Sequence, residues 1–217
     1  MLKKIISFIT FVFLLSAVSV QASNKQIFKN QTEFYAANPW GILFYYGKMM
    51  KGSFQQIITF STGPSKANLV AGELSYQLAP TNIVNKFFNH IWAHVGLALN
   101  LSYQNDPCGK LYEVNPYFRL SWINFPWNKY LVTTLSFGEG VSYATRVPDR
   151  EIKTESRGKN PRKFLNFLVF EAAFAAPKYP NVQIMFRLHH RSGAFKLYEP
   201  CISGSNVLAV GVRYVFG

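Results

Sequence analysis

The C-terminal stretch of this chain alternates with a period of two. Leu208, Val210, Val212, Tyr214 and Phe216 fall on one side, and Ala209, Gly211, Arg213 and Val215 on the other. Successive side chains of a β-strand point to opposite faces, so this spacing predicts a strand with one large apolar face and one small or polar face. Residues 110–124 repeat the pattern: Tyr112, Val114, Phe118, Leu120 and Trp122 oppose Glu113, Asn115, Tyr117, Arg119 and Ser121. Pro116 is discordant there, because it has no N–H to give to a ladder.

The start of the chain supplies a compartment. Lys3 and Lys4 precede an apolar run from Ile5 to Val20, and Val20-Gln21-Ala22 is a small-residue cleavage site. That is the pattern of a secretory signal peptide over residues 1–22, with a mature chain from about Ser23. An uncleaved anchor is the alternative, but the run is shorter than the roughly 20 apolar residues that span a bilayer. No later segment has about 18 consecutive apolar residues, which argues against membrane helices. Dyad alternation behind a signal peptide marks an outer-membrane β-barrel, in which every backbone group is paired in a closed sheet. Gly217 departs from the pattern by following the final aromatic. A soluble periplasmic sandwich, whose strands also alternate, is the competing fold.

The mature chain reads as a single domain, 23–217. Eight strands are expected at about 40–50, 67–79, 88–103, 110–124, 129–143, 164–176, 182–193 and 205–216, and an even number suits an eight-stranded antiparallel transmembrane barrel. In the third, Ile91, Ala93, Val95, Leu97, Leu99 and Leu101 would face lipid, and His90, Trp92, His94, Gly96, Ala98 and Asn100 the lumen. Short turns are expected at Pro80-Thr81-Asn82, Phe125-Pro126-Trp127-Asn128 and Pro177 to Asn181, where Pro and Asn cluster. Longer connections at 51–66, 144–163 and 194–204 are assigned to the outer side. Cys108 and Cys201 share that side. A Cys108–Cys201 disulfide is compatible with an exported protein, and two separate thiols are the alternative.

The formal net charge of +13 becomes +11 without Lys3 and Lys4. Excess Lys and Arg at a membrane rim attracts anionic head groups, such as the phosphates of lipopolysaccharide, or serves only solubility. Nucleic acid is a poorer partner for a barrel in this membrane.

Chemistry concentrates in the seventh strand. Ile184, Phe186, Leu188, His190 and Ser192 share one side, so a histidine and a serine sit on an apolar face at the outer rim. Two residues apart on a strand, their Cα atoms lie roughly 6.5–7 Å apart, and their side chains can lean to hydrogen-bond distance. A polar pair on a lipid face is costly, and a nucleophile beside a base is what ester hydrolysis requires. If the strand were flipped, the pair would instead line a polar lumen.

A signal peptide, eight strands and His190-Arg191-Ser192 on the next-to-last strand resemble the lipid A 3-O-deacylase (PagL-type) outer-membrane esterases. That resemblance implies Ser192 as nucleophile, His190 as general base, and lipid A, within lipopolysaccharide, as substrate. The family motif continues Asn-Ala after the serine, whereas this chain has Gly193-Ala194, whose backbone N–H groups remain candidate oxyanion donors. The family also places a glutamate on the last strand to orient the histidine. Pairing residue 190 with 206 puts Asn206 in that place and Gly204 opposite Ser192. An asparagine can hold the imidazole tautomer but supplies no charge, and otherwise reads as a turn-exit residue. Glu139, two strands away, and Glu199, in the loop, are further candidate acids.

No metal or organic cofactor is called for. His90 and His94 would lie about 13 Å apart on one strand, too far to share an ion. Three functions follow in order: a lipid A deacylase using His190, Ser192 and Asn206; a non-catalytic barrel for adhesion or envelope integrity; and a lipid acyltransferase or phospholipase using the same pair.

Overall fold

Eight strands pair antiparallel in chain order and close into a barrel. They are β1 (Trp40–Met50), β2 (Pro64–Gln77), β3 (His94–Asp106), β4 (Gly109–Trp122), β5 (Val132–Ala144), β6 (Phe164–Ala175), β7 (Val182–Ser192) and β8 (Gly204–Phe216). This is a computed structural model describing residues 30–154, 162–193 and 204–217. The expected signal peptide, Glu199 and Cys201 lie outside the described residues, and so does the Cys108–Cys201 pairing. Cys108 is exposed at the β3–β4 turn, where its thiol donates to Asp149 Oδ1 at 3.2 Å. That hydrogen bond to a carboxylate pushes the thiol pKa above its ordinary value.

The closing pair is β1 with β8, running without a shift from Trp40↔Phe216 to Met49↔Val207. Closure removes both sheet edges, which is the condition for strands to cross a hydrocarbon layer. The distribution of side chains is inside out relative to a soluble sandwich. Phe44, Leu97, Leu99, Leu101, Phe118, Leu135, Ile184, Phe186, Val210 and Val212 are exposed on the outer wall, while Glu73, Glu171, Arg187 and Arg213 are buried within. A sandwich would bury the first set, so the periplasmic alternative falls.

The lumen is packed with ions rather than with hydrocarbon alone. Arg187 joins Glu73 at 2.5 Å and Glu171 at 2.5 Å, and Arg213 reaches Glu171 at 2.6 Å. The Arg187 guanidinium also lies over the Tyr45 ring, 4.9 Å from its centroid. Each end is plugged. At the end bearing the termini, α1 (Gln31–Ala37) is capped by Asn30 and buries Phe34 and Tyr35 against Ile123 and Val215. Tyr35 OH accepts from Gln183 Nε2 at 2.7 Å. At the opposite end, α4 (Asp149–Thr154) sends the buried Glu151 to Ser205 and Arg191.

Two expectations change. The third strand begins at His94, because Asn82 caps a helix, α3 (Ile83–Phe88), through its side chain and Val84 N–H at 2.9 Å. Ile83, Val84, Phe87, Phe88 and Ile91 follow a helical rather than a two-residue period. His90 and Trp92 are therefore exposed in the connection and do not line the lumen, Trp92 having a left-handed φ of 55°. The expected short turn at Pro80 is correspondingly the long connection of this end. Pro116 does break a ladder: β3–β4 runs through it, whereas β4–β5 has no partners between Val114↔Tyr143 and Tyr117↔Gly140. A 3-10 turn (Asn89–Ile91) follows α3, and the short helix α2 (Phe54–Ile58) lies in the β1–β2 connection.

Arg187→Met removes the nearer cation of Glu73 and leaves Glu171 to Arg213 alone, and should lower unfolding free energy by about 3–5 kcal/mol, read from denaturant titration in lipid vesicles. Phe186→Arg, near the middle of the outer wall, should cost about 2–4 kcal/mol in the same assay.

Candidate active site

The β7–β8 ladder brings His190 opposite Asn206 and Ser192 opposite Gly204. The register is fixed from below by Val182↔Tyr214, and the inward residues between these pairs are anchored in the lumen. His189 faces Glu113 Oε2 at 3.1 Å and Tyr45 OH at 2.9 Å. Arg191 lies 3.1 Å from Glu151, and Ser205 donates to the same carboxylate oxygen at 2.7 Å. With 189, 191 and 205 held inside, alternation turns His190, Ser192, Gly204 and Asn206 to the outer wall. The reading of this strand as flipped is thereby excluded.

His190 Nδ1 lies 2.6 Å from Asn206 Oδ1. The other end of the amide, Nδ2, donates to the Gly52 carbonyl at 3.3 Å. Only one orientation of the carboxamide satisfies both contacts. Its oxygen accepts and cannot donate, so Nδ1 carries the proton and Nε2 holds the lone pair of the neutral ring. That is the tautomer a general base for a serine requires.

The outer wall is not bare at this height. Ser53 and Gln56 form a reciprocal capping box that starts α2. The helix sets Phe54 over the site, with ring centroids 5.3 Å from His190 and 5.4 Å from Phe170. Met50, Ile57 and Leu188 pack beside it. His190 is consequently 8% exposed, covered by protein rather than by lipid alone.

Ser192 is partly exposed and stands between two different neighbours. On the β8 side Gly204 carries no side chain, and a Cβ there would lie 2.6 Å from the Arg191 carbonyl oxygen. Only glycine fits so close to that backbone. On the β6 side the opposite residue is Asn166, buried on the same outer face.

Glu139 is also outward and exposed, but Leu168 stands between it and His190 in the register Glu139↔Leu168↔His190. Two strand spacings, roughly 9.5 Å, separate the two backbones. Asn206, not Glu139, is the partner of the ring. No group of three or more His, Cys, Asp or Glu suited to a metal occurs among the described residues.

No protein-family model and no curated protein matches the chain. Solved structures do match. The outer membrane enzyme PagL aligns with a TM-score of 0.53 at 12% identity, over 80% of this chain and 98% of PagL. Neisserial surface protein A (NspA) gives 0.46 at 14%, over 82% and 96%. The N-terminal β-barrel domain of Pseudomonas aeruginosa OprF gives 0.44 at 15%, over 82% and 98%. The chain has the fold of an eight-stranded outer-membrane barrel. At these identities the likeness is one of fold, shared by a protein called an enzyme and by others that are not.

The sequence reading anticipated His190, Ser192 and Asn206 but not Phe54, Gly52 or Asn166. Asn166 carried a signal, since it is the polar member of an outward row with Phe164, Leu168 and Phe170. Phe54 carried none, because a loop's docking place is not written in its own periodicity. Phe54→Ala should uncover the imidazole and raise the rate of His190 modification by diethylpyrocarbonate several-fold, measured by peptide mass spectrometry on the folded protein.

Proposed function

We propose that this barrel is an outer-membrane esterase that removes an ester-linked acyl chain, at the 3-position, from lipid A. The observation that carries the reading is the His190 Nδ1–Asn206 Oδ1 contact of 2.6 Å on the outer wall, two residues from Ser192. It holds His190 on the same strand face as the Ser192 hydroxyl, which supports a base beside a nucleophile on the lipid side.

The Ser192 Oγ attacks the acyl carbonyl carbon while its proton passes to His190 Nε2. The carbonyl π pair moves onto oxygen, and backbone N–H groups after Ser192, beginning with Gly193, are donors for that charge. Collapse breaks the bond to the sugar oxygen, which takes the proton from His190 and leaves an acyl-serine. Water, deprotonated by His190, then attacks the acyl carbon, and Ser192 recovers its proton as the free fatty acid departs. Asn206 steadies the ring throughout but contributes no negative charge to the imidazolium.

A second reading is a barrel without catalysis. It draws on the Phe54 cover over His190 and on an amide where a carboxylate would stabilise the charged ring. Mass spectrometry of lipid A from cells expressing the chain separates the two. Wild type should lose one hydroxyacyl mass, and Ser192→Ala and His190→Ala should each leave lipid A intact. Unchanged lipid A with wild type favours the second reading, a gained acyl mass an acyltransferase, and fatty acid released only from phospholipid a phospholipase. Asn206→Asp places a carboxylate on Nδ1 and should raise turnover about tenfold, the effect of about 1.4 kcal/mol in the barrier.

A further inference from the structure

Hydrolysis at Ser192 asks for more than the backbone donors after it. Negative charge develops on the acyl oxygen in the transition state, and donors aimed at that oxygen are among the largest contributions to such catalysis. Gly193 follows the nucleophile and has no side chain to offer. The nearest polar side chain across the ladder belongs to another strand.

Asn166 on β6 is directly opposite Ser192 on β7. Directly opposed residues on one face of an antiparallel pair have Cβ atoms about 4.5–5.5 Å apart, within reach of a shared ligand atom. Asn166 is buried, on the outer face, in a row whose other large members are Phe164, Leu168, Phe170 and Phe174. Its neighbour on the far side, in β5, is Val141, which offers no polar side chain. A carboxamide in apolar surroundings is costly unless its N–H groups are used.

The flanks of Ser192 are thus unlike: a glycine without a side chain towards β8, and an amide towards β6. An ester whose carbonyl carbon meets Ser192 Oγ with its oxygen turned towards β6 would bring that oxygen to the amide. We infer that Asn166 is a catalytic residue of this site, its Nδ2–H donating to the oxyanion formed at Ser192. This deepens the esterase reading above and rests on it. The side chain from β6 and a backbone N–H after Ser192 would then hold the oxygen from two sides. His190, on the diagonal, is left to the proton.

Steady-state deacylation of purified lipid A in mixed micelles tests the assignment. Asn166→Leu, matched in size and without a donor, should lower kcat about 10²–10³-fold with KM changed less than about threefold. Asn166→Asp, nearest in shape, should lose at least as much, because its charge opposes that of the oxyanion. The rate at which an alkyl fluorophosphonate labels Ser192, forming the Oγ–P bond and expelling fluoride, should fall in parallel, since its phosphoryl oxygen uses the same donor. Heat-modifiable gel mobility identifies folded barrels, and if Asn166→Leu does not fold, Asn166→Asp decides. A kcat within threefold of wild type in either folded variant, or a change in KM alone, overturns the role of Asn166 while leaving Ser192 and His190 in place. A wild type that neither deacylates lipid A nor labels at Ser192 overturns the esterase reading and this inference with it.

Discussion

The pairing of β1 with β8 is the constraint on which the rest of the molecule depends. Hydrocarbon offers no partner to a peptide N–H or C=O, so a sheet crosses a bilayer only when its two edges meet. Once Trp40 is opposite Phe216, the neighbouring registers are locked in turn, and β7 meets β8 with His190 opposite Asn206. Because the side-chain period is two, a slip of one residue would have sent both into the lumen. The candidate site is thus a by-product of closure, placed by backbone hydrogen bonds rather than by contacts of its own.

The lumen enforces the same choice from within. Arg187, Glu73, Glu171 and Arg213 form ion pairs in the middle of the barrel, and His189, Glu113, Arg191 and Glu151 do so above them. An ion of this set turned outward would meet lipid and leave its partners buried and unpaired, which is prohibitive on both counts. Since 187, 189 and 191 are inward members of β7, the residues between them have no alternative to the outer wall. A network built for packing therefore gives the outer face its chemistry.

The fold was legible because it is written in local alternation. Tyr112 to Trp122 and Leu208 to Phe216 show their two faces without reference to any other strand, and parity placed His190, Ser192 and Asn206 together. Alternation failed where another period competed. Between Asn82 and Ile91 the apolar residues follow a helix, and a capping asparagine decided for it over a strand extended by analogy. The site was legible in part for the same reason. A pair along one strand or across one hairpin is set by counting, but Phe54 reaches His190 from the β1–β2 connection, which no count predicts.

What the sequence by itself determined is the number of strands, the face each residue takes within them and the order in which strands pair, all consequences of a two-residue period and short connections. The tertiary structure alone decided what covers that face. It brought Phe54 over the imidazole and the Gly52 carbonyl to Asn206, and it set Ser192 between Gly204 on one side and Asn166 on the other. The reason is physical: facing direction is a property of a residue and its neighbours in the chain, whereas cover and reach depend on the closed circumference, which exists only once β1 and β8 have met.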